Sequence, residues 1–301
     1  MTLLTTVLGR TLRTTGHVSP ALAGALAFRL FRYPGPRAGV RGSEQVIVDQ
    51  AQFDALALAD RRLAVYRWGD GPKPVLLLHG WSARGSRYAP LVPGLVARGY
   101  RPTTFDAPGH GASSGRSTDL LEYAAIIRRL SERYGPFAAV VGHSFGALAA
   151  FHALRAAEVG APRLVTIGSP SEFGYLPERF AGQLGLGSRI EAELRRRTEH
   201  YFPEEDDIWR RFSATHRPAD LPRPMLVVHD QEDSVVSVSQ AHQIAAAHGP
   251  KVRLLITRGL GHHRILSAPD VVEQIVEFVA GARSDSNPSG TEHGALRTAD
   301  G

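Results

Sequence analysis

The feature that most constrains this chain is an alternation of short apolar runs with segments of helical spacing. The runs are "VLLLHG" (75–80), "RPTTFD" (101–106), "FAAVVGH" (137–143), "RLVTIGS" (163–169), "PMLVVHD" (224–230) and "KVRLLIT" (251–257). Most lack polar alternation and are too short for a helix, which is how a strand buried on both faces reads. Between them, apolar residues recur at helical spacing, as Leu120, Leu121, Ala124, Ile127 and Leu130 do within 117–135. Such a series predicts an α/β protein with a mostly parallel central sheet and helices on both faces. Ahead of it, from Gln45 onward, "FDALAL" and "RLAVYRWG" read as two strands joined by a short turn containing an aspartate.

The series is interrupted once. Residues 171–217 look helical and charged, and carry Phe173, Tyr175, Phe180, Tyr201, Phe202, Trp209 and Phe212. We expect a lid over the strand ends, inserted in a main domain spanning 44–282 that closes on a helix at 270–282. Residues 1–43 are expected to form a basic amphipathic arm of one or two helices, lying on the main body or in weak contact with a membrane surface. Residues 283–301, rich in Ser, Gly, Asp and Asn, are expected to be a disordered tail.

Composition narrows the function. Hydrophobic residues make up 43% of the 301, enough for a sizeable core. The absence of cysteine excludes disulfides, thiolate catalysis and cysteine-ligated zinc together. A net charge of +6 is concentrated at the start, where six arginines (Arg10, Arg13, Arg29, Arg32, Arg37, Arg41) face Glu44 and Asp49. The remainder is near neutral, so no nucleic-acid partner is expected. The apolar stretch from Ala21 to Phe28 stops at Arg29, too short to span a bilayer. It contains Gly24, follows Pro20 and lacks a charged start, so a cytoplasmic protein is expected rather than a secreted one.

In "AVVGHSFGALAA" (139–150) a serine stands between two glycines, directly behind an apolar run and ahead of a helix. The bare pattern G-x-S-x-G is weak evidence; the strand–turn–helix setting makes it strong. There a sharp, strained turn pushes the Ser144 hydroxyl out of the sheet's end. Gly142 and Gly146 let the strand and helix backbones pass closely.

Taken in order, "HGWS", "DAPGHGASSG", "GHSFG", "HDQEDSVV" and "GLGHHRIL" make residues 45–282 resemble the α/β-hydrolase superfamily, in appearance closest to its bacterial esterases and serine aminopeptidase-like hydrolases. The resemblance implies a triad of Ser144, Asp233 and His262. His262 matches the family's base, with adjacent His263 as the alternative. Asp233 matches the acid, although Asp230 stands where relatives often have glycine. Asp230 and Glu232 are read as a solvated turn, and Glu172 as a distant alternative acid. The oxyanion hole is expected from the backbone N–H groups of Trp81 and Phe145.

His79, His110 and His143 are read as ties between loops, and Asp106 as a loop anchor. No cluster has metal-ligand spacing, so neither metal nor cofactor is expected. The expected chemistry is hydrolysis of a carboxylic ester with a small or medium apolar substrate, through an acyl-serine. Amide, peptide or carbon–carbon hydrolysis and acyl transfer use the same constellation. A non-catalytic ligand-binding protein on the same fold is the rival from another class. Oligomeric state is not legible.

Overall fold

The computed structural model describes residues 3–156 and 159–281. The tail expected at 283–301 lies outside them. Two helices, α1 (Leu3–Val18) and α2 (Pro20–Phe31), open the chain, and α3 (Gly42–Asp49) follows an extended segment. The hairpin β1 (Gln52–Leu58) and β2 (Arg61–Arg67) leads into β3 (Lys73–Leu78), α4 (Val92–Ala97), β4 (Tyr100–Phe105), α5 (Leu120–Tyr134), β5 (Ala139–His143), α6 (Phe145–Arg155) and β6 (Leu164–Ile167). Then come α7 (Tyr175–Leu184), α8 (Ser188–Tyr201), α9 (Ile208–Arg211), β7 (Met225–Asp230), α10 (Ser239–His248), β8 (Val252–Thr257), α11 (Gly261–Arg264) and α12 (Pro269–Ala280).

The strands form one eight-stranded sheet in the order β1-β2-β4-β3-β5-β6-β7-β8. Only β1–β2 and β2–β4 pair antiparallel; every later pair is parallel. Side chains of a strand alternate between its faces, so the unbroken apolar runs fill two cores. Leu76, Leu78, Val140, Leu164 and Val227 pack with Ile126, Ile127 and Leu130 of α5, Leu148 and Phe151 of α6, and Ile244 of α10. Val75, Leu77, Val141, Val165 and Val228 pack with Leu95 of α4 and Val271, Ile275 and Val279 of α12. Helices thus cover both faces, and the carboxyl ends of the parallel strands stay open for a site.

Residues 171–217 supply α7, α8 and α9 between β6 and β7. The arm does not lie on the sheet. Leu12, Ala23 and Ala27 of α1 and α2 are buried together with Leu184 and Ile190, at the junction of α7 and α8. The apolar stripe of the arm is spent on α7 and α8. The sequence gives no sign of α3, which crosses the expected boundary at residue 43. It is fixed by a charged side chain: Glu44 is buried and accepts hydrogen bonds from Ser86 Oγ (2.7 Å) and Arg87 Nη1 (2.6 Å). No helix among the described residues is long and apolar enough to cross a membrane.

Candidate active site

Ser144 sits between β5 and α6 with φ 53° and ψ −120°, a left-handed conformation that a residue bearing Cβ holds only under strain. Its two glycines are sterically forced. A Cβ on Gly142 would lie 2.6 Å from Ala147 Cα, and one on Gly146 would lie 2.4 Å from Leu78 O. The Ser144 N–H donates to Ile167 O (2.9 Å), tying the turn to the end of β6. The residue stays half-exposed and lines a cavity of ≈ 390 Å³.

The next residue along β6 brings in the rest of the site. Gly168 has φ 56°, and a Cβ there would lie 3.0 Å from His262 Nδ1 and 3.4 Å from Asp233 Oδ2. It leaves room for the acid–base pair. His262 Nδ1–H donates to Asp233 Oδ2 at 2.6 Å, which fixes the tautomer and leaves Nε2 to take a proton. Asp233 is 1% exposed in its side chain, and its other oxygen accepts from the N–H groups of Val235 and Val236, both at 2.8 Å. Burial works to raise this carboxyl, but the hydrogen bond and charge of His262 and the two amides outweigh it and hold it below the ordinary range. His263 is exposed and borders a different cavity, with Arg41, Glu44 and Arg87.

The loop after β3 passes beside the serine: a Cβ on Gly80 would lie 3.0 Å from Ser144 Cβ. The following residue, Trp81, places its ring 5.3 Å from that of Phe145. Neither the Trp81 nor the Phe145 backbone N–H takes a partner among the described residues, so both remain available to an oxyanion. Two histidines hold this loop. His79 Nδ1–H donates to Gly80 O (2.8 Å) and its Nε2 accepts from Ala107 N–H (2.9 Å). Burial and the neighbouring His110 push His79 down to about 4, so it stays neutral. His110 Nε2 accepts from Ser82 N–H at 3.2 Å. Asp106, with no exposure, accepts from Arg84, Gly85 and Ala112.

One expectation is corrected. Asp230 is not on a solvated turn; it is fully buried and accepts from Thr257 Oγ1 (2.7 Å), Glu232 N–H (3.0 Å) and Leu260 N–H (3.0 Å). Burial works to raise it, but the backbone amides of Gly261, Leu260 and Glu232 together with the Thr257 hydroxyl outweigh this and draw it below the ordinary carboxylate range. It fastens the end of β7 to the loop that presents His262. An acid closing an apolar strand was the only hint of this, and the charged cluster around it hid the signal. Glu232 is exposed and pairs with Arg258 at 3.2 Å. Glu172 is exposed and bonded to Thr215, whereas the carboxylate on His262 is that of Asp233.

The aromatics of residues 171–217 divide by task. Phe173, Tyr175, Phe180, Tyr201 and Phe202 line the Ser144 cavity, while Phe212 is buried edge-on to Phe173 and Phe202, each centroid 5.1 Å away. A larger cleft of ≈ 980 Å³ between the arm and residues 109–116 contains none of Ser144, Asp233 or His262. No group of side chains among the described residues could hold a metal ion.

A family model described as the alpha/beta hydrolase family matches residues 75–275. The chain belongs to that family. It is 31% identical over 250 residues to a pimeloyl-[acyl-carrier protein] methyl ester esterase of Xanthomonas oryzae pv. oryzae, covering 70% of this chain and 96% of the relative. An esterase structure from Pyrococcus furiosus matches with a TM-score of 0.61 at 20% identity, covering 82% of this chain and 98% of its own. An esterase structure from Rhodococcus sp. ECU1013 matches with a TM-score of 0.56 at 19% identity, covering 78% and 100%. Those two structures share the fold, and they leave 18% (100 − 82) and 22% (100 − 78) of this chain without a counterpart. At a coarse level this α/β-hydrolase is a carboxylic ester hydrolase.

Proposed function

We propose that the protein hydrolyses an ester of a small or medium apolar acid through an acyl-enzyme on Ser144. The observation that carries this reading is the strained turn at Ser144, facing a lidded cavity with the Asp233–His262 pair bonded at 2.6 Å on the adjoining strand ends. Ser144 Oγ attacks the carbonyl carbon while its proton passes to His262 Nε2. Asp233 stabilises the imidazolium, and the N–H groups of Trp81 and Phe145 receive the oxyanion. The carbon–oxygen bond to the alcohol then breaks as His262 returns the proton to it. Water repeats the sequence on the acyl-serine and restores the hydroxyl.

A cavity of ≈ 390 Å³ walled mainly by aromatic and aliphatic side chains suits an acyl chain of moderate length. The methyl ester chemistry named for the Xanthomonas relative supports simple alkyl esters as the first class to test. The decisive experiment pairs a fluorophosphonate label with a series of p-nitrophenyl and methyl esters of increasing chain length. We expect one label per chain, at Ser144, and turnover that peaks at intermediate length and vanishes in Ser144→Ala. A folded protein that neither labels nor turns over any ester would instead be a binding protein on this fold.

A further inference from the structure

The arm is built to seat on the lid. Two of its glycines face lid atoms so closely that a Cβ has no room, 2.3 Å from Leu184 O at Gly9 and 2.1 Å from Glu193 Cγ at Gly24, and at Gly16 a Cβ would fall 2.6 Å from Ile190 Cδ1 and displace that methyl. Polar bonds fasten the same contact, from Arg13 Nη1 to Leu184 O (2.9 Å) at the end of α7 and from Arg197 Nη2 to Ala21 O (3.2 Å). Seated in this way, α2 and the turn after it reach the Ser144 cavity, whose wall includes Phe28, Phe31, Arg32 and Tyr33.

Among those wall residues Arg32 is out of character. Its guanidinium lies 3.8 Å from the Tyr201 ring centroid, and Nη2 donates to Tyr201 Oη at 2.6 Å. That hydroxyl in turn donates to Asp119 Oδ2 (2.9 Å), while the other Asp119 oxygen caps α5 through Glu122 N–H. Arg32 has no carboxylate within 4.0 Å, its Nε is sealed from water without a partner, and Nη1 makes no hydrogen bond among the described residues. On its far side a second cleft carries Glu122, Glu204 and Glu205, of which Glu122 and Glu205 pair with Arg61 and Arg211. Among the described residues, the only other charged side chains in the wall of the Ser144 cavity are Asp119 and Arg179, and Arg179 donates to the carbonyls of Ser234 and Val235. A cavity walled mainly by aromatic and aliphatic side chains therefore has two arginines against one aspartate.

We propose that Arg32 is a specificity residue: it receives a carboxylate at the far end of an apolar chain whose ester carbonyl is placed at Ser144. The preferred substrates are then half-esters of straight-chain dicarboxylic acids. The arm supplies the selecting charge, the lid supplies the ring that orients it, and the sheet supplies the chemistry. A guanidinium with an unspent donor, held against an aromatic face, gains more from a carboxylate there than it would in water.

This inference rests on the ester-hydrolase reading, and its test separates the two. kcat/KM is measured for methyl esters of straight-chain acids and for the monomethyl esters of dicarboxylic acids of equal length, across a range of lengths. The expected result is a preference for the half-ester at one optimum length, about tenfold or more and expressed in KM, since charge-assisted contacts to a bound anion act there. Arg32→Gln should bring the ratio between the two esters towards one, and Arg32→Lys should retain part of it. Tyr201→Phe, which keeps the ring and removes the orienting hydroxyl, should lower the ratio by a smaller factor and serves if Arg32→Gln does not fold. A ratio unmoved by Arg32→Gln, a parallel loss for both esters, or a preference for the neutral ester at every length overturns the assignment while ester hydrolysis stands. Absence of turnover with every ester overturns both.

Discussion

The sheet rim and the arm–lid assembly are both held by glycines that admit no side chain, yet only one of them announces itself in the sequence. At the rim, Gly142 and Gly146 crowd atoms within five residues or on the adjoining strand, and the turn they permit has a local signature. On the arm, Gly9, Gly16 and Gly24 crowd residues 184–193, far along the chain, and a glycine in a helix carries no mark of what it approaches. The rim fixes chemistry by backbone geometry. The arm and lid fix selection by side-chain packing between distant segments, as with Arg32 and Tyr201, 169 positions apart.

The largest expected effects test the rim. Ser144→Ala and His262→Ala should each lower kcat by roughly 10⁴-fold or more, and the double variant should be little worse than either. Asp233→Asn should cost about as much through the wrong tautomer of His262. His263→Ala should cost far less. These are read from steady-state kinetics with any accepted ester, and a greater loss in His263→Ala than in His262→Ala would reassign the base.

The pH profile probes the same rim at a smaller scale. Burial is the main force pushing His143 and His229 below the ordinary histidine range, with nearby Asp233 opposing it in both cases. Both rings lie beside the Asp233–His262 pair and hold a proton less readily than an ordinary histidine. The acid limb of kcat/KM should accordingly be a single-proton titration, falling about tenfold per pH unit. A steeper limb would mean that a neighbouring ring shares the proton. The fold responds too. His79 and His152 are depressed to about 4, chiefly by burial. A depressed histidine binds its proton first in the unfolded chain, so stability falls as pH drops below about 6.5 and continues to fall until the folded value is reached. Thermal unfolding between pH 7 and 5 checks that direction, and the kinetic limb must be read where the protein is still folded.

What the sequence disclosed follows the same division. Strand runs and the turn at Ser144 are legible because they depend on local patterns of burial and backbone conformation, whereas Asp233 and His262 were singled out only by the family resemblance of the motifs around them. The role of Asp230 was hidden because a carboxylate bonded to amides of a later loop has the same letter as one in water. Gly168 gave no signal either, since the side chains it makes room for come from two later segments. The aromatic insertion was legible as helical. Its division between cavity wall and packing was not, because Phe173 and Phe212 differ only in what surrounds them.

The smallest expected effect is also the one whose sign discriminates most. Gly24 lies inside α2, and in a helix that packed on nothing Gly24→Ala would raise stability by about 1 kcal/mol through helix propensity. Here the new methyl would fall 2.1 Å from Glu193 Cγ and 2.6 Å from Glu193 Cβ, atoms near the α8 backbone that have little freedom to retreat. Overpacking of this kind costs about 1–3 kcal/mol, enough to reverse the sign. Gly24→Ala should therefore lower Tm slightly and raise KM a few-fold as α2 carries its part of the wall outward, with kcat little changed because the rim is untouched. A higher Tm with unchanged KM would mean that the arm does not shape the cavity in solution, and Arg32 would lose its place in substrate selection.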